Sequence, residues 1–122
     1  MNRRTAARLA TYERQYRSLA NELSELGFIV AGSVASRPNT CGKQGCRCHG
    51  DPPQPHGPYW HWTAKVDGKT VNRRLTDREA ELYQEWIAND RQLRDVIAKM
   101  REIAANATDL LLEQDLQQAE RV

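Results

Sequence analysis

All three cysteines of the chain fall within eight residues, Cys41-Gly-Lys-Gln-Gly-Cys46-Arg-Cys48, and His49 and then His56-Gly-Pro-Tyr59 follow them. No other feature limits the fold so tightly. Residues 38–58 hold all five prolines and four of the seven glycines, so this stretch reads as an irregular loop about twenty residues long. A loop of that length in a compact domain needs something to order it, because it carries little apolar surface of its own. Three thiolates and one imidazole are the donor set of a closed tetrahedral structural zinc site. Zn2+ is therefore the expected cofactor, with Cys41, Cys46 and Cys48 as ligands. His56 is favoured as the fourth, being far enough along to fold back onto the metal. His49 adjoins a ligand and would have to reach around a strained dipeptide, and His61, farther on, is a weaker choice.

At 122 residues the chain is one domain's worth, with a modest apolar supply and a single Phe. No apolar stretch is long enough to cross a membrane, and no signal-peptide core follows the first residues, so a cytoplasmic location is expected. There a disulfide framework is disfavoured, and an odd cysteine count would not fill one. The formal charge of +2 conceals a polarity along the chain. Residues 1–27 carry five Arg and three Glu, residues 28–76 seven Lys or Arg against two Asp, and residues 77–122 six basic against eleven acidic side chains. A basic middle suits a polyanion-facing module, and the acidic last third suits attraction to the basic part within the fold or across a dimer.

The expected class is α+β: an N-terminal helix in 1–27, a zinc-binding loop with a small three-stranded antiparallel sheet in 28–76, and a helical stalk in 77–122. In the first segment Leu9, Tyr12, Tyr16, Leu19, Leu23 and Leu26 recur at alternating spacings of three and four, which predicts a helix over about 5–26. Thr5 is its expected N-cap, and Gly27 sits where a left-handed C-terminal cap belongs. The β-branched and small residues of 28–36 predict a strand ending before Arg37-Pro38. Asp67-Gly68 predicts a type I′ turn that pairs Val66 with Lys69, Ala64 with Val71, Trp62 with Arg73 and Trp60 with Leu75. Trp60, Trp62, Ala64, Val66, Val71 and Leu75 then share a core face, where Arg73 either covers Trp62 or reaches outward. His61, Thr63, Lys65, Thr70, Asn72 and Arg74 share a polar, solvated one.

Thr76-Asp-Arg-Glu79 is a capping box with Leu75 before it as a staple, which fixes the start of the longest helix. Tyr83, Trp86, Leu93, Ile97, Met100, Ala104, Ala107 and Leu111 follow heptad spacing, and Val96, Ile103 and Leu110 widen the stripe beyond what one partner helix covers. A break is expected around 106–109, with Thr108 recapping a last amphipathic segment that carries Leu110, Leu111, Leu112 and Leu116.

The ordered parts Cys41-Gly-Lys43, Cys46-x-Cys48, His56-Gly-Pro-Tyr59 and Gly68-Lys69 resemble the signature of a family of small uncharacterised bacterial proteins often found near mobile elements. The resemblance spans about residues 27–100. It implies His56 as the histidine that goes with the cysteines, and no activity.

Phosphate-loop, nucleophile-elbow, metalloprotease and zinc-deaminase patterns are all missing, and a zinc filled by four protein ligands keeps no open position, so the chain is expected not to be an enzyme or to take a small-molecule substrate. The leading expectation is a zinc-stabilised nucleic-acid-binding protein, with DNA the expected partner. Its contacts would come from Lys43, Arg47, Lys65, Lys69, Arg73 and Arg74, and its helices would form a homo-oligomer. The alternative is a zinc-stabilised protein-interaction or dimerisation adaptor acting through those helices.

Overall fold

A computed structural model describes residues 1–120. The order is α1 (Arg3–Ser24), β1 (Ser33–Asn39), a single 3-10 turn at Arg47–His49, β2 (His56–Val66), β3 (Lys69–Leu75) and α2 (Asp77–Glu120). The α+β class with two flanking helices and a three-stranded antiparallel sheet is as the sequence implies. The chain divides into two compact units, one of Met1–Gly27 with Arg91–Val122 and one of Phe28–Asp90, and α2 contributes to each. No helix among the described residues is long and apolar enough to cross a membrane.

In the second unit the strand order is β1-β2-β3, so β2 is central. The β2–β3 register is the expected one: Val66 pairs with Lys69, Ala64 with Val71, Trp62 with Arg73 and Trp60 with Leu75. Asp67 and Gly68 both have positive φ, 52° and 79°, as a type I′ turn demands. α2 covers the Trp62 side of the sheet. Tyr83 lies 5.3 Å from Trp62 and 5.3 Å from Trp86, and Leu75, Ala80 and Ile87 are buried nearby in sequence.

The capping box forms in both directions. The Glu79 N–H donates to Thr76 Oγ1 (3.1 Å) and the Thr76 N–H to Glu79 Oε1 (3.0 Å). That backbone donor, then the Thr76 hydroxyl, then nearby Arg73, holds the Glu79 carboxyl below its ordinary 4.5. A depressed carboxyl stabilises the fold above its ordinary pKa and loses that contribution as pH falls below it. Thr76→Ala is accordingly expected to cost about 1 kcal/mol near neutrality. The cost should shrink in acid, which urea melts at about pH 7 and pH 3 will show.

β1 departs from expectation. It begins at Ser33 and runs through Pro38 to Asn39, whereas residues 28–32 lie outside the ladder. Those residues run beside α2 instead: the Val30 N–H donates to the Trp86 carbonyl (3.2 Å), and Asn89 Nδ2 donates to the Phe28 carbonyl (2.9 Å). It is their backbone that α2 engages, while the side chains of Phe28 and Ile29 stay exposed. Pro38 is tolerated because β1 is an edge strand and the register shifts between Arg37 and Asn39. Gly32, at φ 115°, makes the join, and the Ala31 carbonyl accepts from Trp62 Nε1 (2.9 Å).

The polar second face is exposed or half-exposed at Thr63, Lys65, Thr70, Asn72 and Arg74, and of the six residues expected there only His61 departs from a solvated setting. His61 is only 7% exposed, with Nδ1 donating to Asn72 Oδ1 (3.0 Å), and Asn72 Nδ2 donates on to Thr63 Oγ1 (3.2 Å). On the intended core face, Val66 and Val71 near the turn stay exposed, because the core lies at the other end of the hairpin with Leu75.

In the first unit α1 is capped by Asn2, whose side chain accepts from the Thr5 N–H (2.8 Å), so Thr5 is an N3 donor partner and not the cap. The helix ends at Glu25 in right-handed conformation, without the left-handed cap expected at Gly27. All six seam residues of α1 are half-buried, and none is buried. α2 continues without a break through 106–109. Thr108 Oγ1 donates to the Ala105 carbonyl (3.1 Å), a bond the helix accommodates, and Leu110 next to it is buried.

Candidate metal centre and basic sheet face

The loop between β1 and β2 brings one Sγ from each of Cys41, Cys46 and Cys48 and one ring nitrogen of His56 within 4.8 Å of one another. Cys41 follows the end of β1, Cys46 and Cys48 bracket the start of the 3-10 turn, and His56 opens β2 opposite Asn39. Short backbone bonds shape the loop: Cys46 N–H to the Lys43 carbonyl (3.3 Å), His49 N–H to Cys46 (2.9 Å), and both Gly50 and Gln54 N–H to Arg47 (3.1 and 3.0 Å). Gly45 supplies the positive φ, 85°, that the turn before Cys46 uses, whereas Gly42 and Gly50 have ordinary backbone.

The donor set fits a four-coordinate ion. Tetrahedral bonding at zinc-like lengths separates two sulfurs by about 3.8 Å, and a sulfur from an imidazole nitrogen by about 3.5 Å. The Cys41 and Cys48 sulfurs are 3.6 Å apart, and Cys46 Sγ is 3.3 Å from His56 Nε2. His49 is not in the set, since its Nε2 meets the Cys41 carbonyl. His61 is engaged with Asn72. These four residues can therefore hold a metal ion.

Electrostatics point the same way. The Cys48 backbone N–H, with the Cys48 and Cys41 thiols, holds the Cys46 thiol down to about 6 from an ordinary 9.0. The Cys41 N–H, 3.4 Å from Cys48 Sγ, pulls Cys48 down as well. Burial and the two neighbouring sulfurs outweigh that pull and leave Cys48 above its ordinary value. Adjacent thiols pushed apart in this way resist carrying charge together, and a bound cation removes the conflict. Cys48 is also buried, at 2% exposure.

Strand alternation sorts the six cationic candidates. Lys65 and Arg74 lie on the sheet face with Tyr59, His61, Thr63 and Asn72, whereas Lys69 and Arg73 lie on the Trp62 face that α2 covers. Arg73 is committed there, with Nη2 3.4 Å from Glu79 Oε2, Nη1 3.3 Å from Tyr83 Oη and its guanidinium 6.0 Å from the Tyr83 ring, not over Trp62. Arg74 stacks on Tyr59 at 3.4 Å and has no acidic partner among the described residues. Lys43 and Arg47 are exposed on the metal loop.

Sequence reasoning missed Arg37. It pairs opposite Tyr59, on the same face as Arg74, and its Nη2 donates to Thr63 Oγ1 (3.4 Å). The signal was hidden by Pro38, which made Arg37 look like the end of a strand instead of its interior.

No curated protein and no solved structure matches the chain. A family model described as a domain of unknown function does match, over residues 9–84, which takes in most of α1, the whole sheet, the metal loop and the capped start of α2. With well over half of its length accounted for in this way, the chain belongs to the DUF6788 family.

Proposed function

We propose that the chain is a zinc-ordered nucleic-acid-binding module whose ligand is DNA. One observation carries the reading: the sheet face away from α2 bears Arg37, Lys65 and Arg74 with Tyr59, Thr63 and Asn72, and no carboxylate. Arg74 stacks on Tyr59 and has no ion-pair partner among the described residues. Such a surface binds phosphates, and Lys43 and Arg47 on the neighbouring loop add to it. Zinc is the ion that three thiolates and an imidazole select, and four protein ligands leave it no open position for catalysis. Its role is to order the loop.

Fluorescence anisotropy with labelled duplex DNA over a salt series tests this. Lys65→Ala with Arg74→Ala is expected to weaken binding about tenfold or more, and to reduce the salt slope by about one for each phosphate left unneutralised. Arg73→Ala, on the α2 side, is expected to leave DNA affinity nearly unchanged. Undetectable binding at low salt, or indifference to the double substitution, defeats the reading. The competing reading, an adaptor that works through its helices, is favoured by the exposed leucines late in α2 and predicts that negative result.

A further inference from the structure

β2 begins at His56, but its pairing with β3 stops at Trp60 and Leu75. Beyond that pair the chain turns into α2, and the first residues of β2 have no strand beside them on that side. A cleft of about 370 Å³ lies there, within the Phe28–Asp90 unit. Tyr59, Trp60 and Arg74 line it from the sheet, and Thr76, Asp77 and Glu79 line it from the capped start of α2. That volume is near the small end of ligand pockets, enough for one planar heterocycle and far too little for a helix.

Some of the lining groups already have partners. Glu79 is engaged by the Thr76 N–H and by Arg73, and the Thr76 hydroxyl by the Glu79 N–H. Arg74 and Asp77 are different: neither has an ion-pair partner among the described residues, and they do not pair with each other. The Arg74 guanidinium stacks on the Tyr59 ring at 3.4 Å, and Arg74 stays exposed, so the other face of its guanidinium is open. The ring is backed by Gly57, where a Cβ would come within 3.0 Å of Tyr59 Cδ2. The stack is thus seated before any ligand arrives. A phosphate is a poor occupant, because two carboxylates share the wall with one guanidinium. A flat, neutral ring bearing N–H donors suits every group present: it stacks on the open face of Arg74 and donates to Asp77.

We propose that the cleft receives an unpaired guanine of the DNA bound on the adjoining sheet face. This rests on the DNA reading of that face, with which the cleft shares Tyr59 and Arg74. Bases inside a duplex are stacked on both faces and paired along their Watson–Crick edges, so only an unpaired base can enter. Guanine alone turns two adjacent donors, N1–H and the N2 amino group, toward a carboxylate on that edge, the bidentate arrangement that Asp77 accepts. Adenine and cytosine put a ring acceptor beside their single amino group, and thymine offers one N–H between two carbonyls. Lys65, Arg37 and the loop cations then hold the phosphates on either side, and the cleft holds the base.

Fluorescence anisotropy tests the proposal, using the full, metal-loaded chain at one low salt concentration and labelled duplexes identical but for one unpaired nucleotide. An unpaired guanine is expected to bind roughly tenfold or more tightly than the fully paired duplex. Hypoxanthine in its place lacks the N2 amino group and is expected to lose most of that gain. Asp77→Asn should abolish the preference for guanine over hypoxanthine and leave affinity for the paired duplex nearly unchanged, with metal content and melting temperature showing that the variant is folded. Lys65→Ala, outside the cleft, should weaken all the duplexes alike. Equal affinity for paired and unpaired duplexes, an unpaired adenine or thymine bound as tightly as guanine, or a guanine preference that survives Asp77→Asn overturns the proposal and leaves the DNA reading standing. Absence of binding to every duplex overturns both.

Discussion

Cys46→Ser is expected to abolish stoichiometric metal binding and to lower the melting temperature by roughly 15 °C or more. The magnitude follows from linkage: a metal present at a thousandfold over its dissociation constant adds about 4.1 kcal/mol to a fold that alone can bind it. Little else orders residues 40–55, which hold one 3-10 turn and a few backbone bonds around the buried Cys48. A strong chelator should bring the native chain to the same melting point and leave the serine variant unmoved. Metal loading should fall with acidification, since protons compete for the thiolates. In the metal-free loop, Cys46, held at about 6 against an ordinary 9.0, favours the fold fully above pH 9, and that advantage disappears as pH falls through 6. Cys48 acts oppositely: its raised thiol favours the fold below 9.0 and opposes it as pH rises beyond. A serine variant that still binds one equivalent of metal and melts with the native chain removes the premise of an ordering ion.

Gly32→Ala is expected to be the most damaging change outside the metal loop, at about 3 kcal/mol or more. Two independent effects add. A φ of 115° strains any L side chain, and the new methyl would meet the Thr63 carbonyl oxygen at 2.5 Å, Trp62 Nε1 at 2.7 Å and the Ala64 Cβ at 2.9 Å. The first of these atoms is backbone of the central strand, so the edge strand has to move. The hydrogen bond from Trp62 to the Ala31 carbonyl is then broken, and a shifted tryptophan emission with a lowered urea midpoint should report it. An alanine variant within 0.5 kcal/mol of the native chain would show that the join at Gly32 adapts freely, on the scale of ordinary surface substitutions of about that size.

What was legible in the sequence is what local chemistry decides. The hairpin register follows from one dipeptide, Asp67-Gly68, whose backbone demands few other residues meet. The start of α2 follows from Thr76 and Glu79, which satisfy each other's backbone donors. The three thiols follow from their clustering and His56 from its separation from Cys48 and from the family resemblance, and the structure gathers Cys41, Cys46, Cys48 and His56 while leaving His49 outside.

What was not legible depends on partners distant in the chain. Residues 28–32 have strand composition, but Trp86 and Asn89 claim their backbone. Pro38 disfavours a ladder in general and not at an edge, a fact that only the strand order supplies. Asn106 and Thr108 weaken a helix locally, and burial of Leu110 decides for continuity. His61 sits among polar neighbours in the strand pattern, which gives no sign of its burial in the central strand.

The two-residue turn at Asp67-Gly68 does more than join strands. Because side chains alternate along β3, it sets the phase that sends Arg73 to Glu79 beneath α2 and Arg74 to Tyr59 on the opposite surface. Consecutive arginines thereby take different partners, a carboxylate for one and an aromatic ring for the other. One residue more or fewer between the strands would exchange their faces and turn the buried Leu75 toward the open surface, with composition and net charge hardly altered.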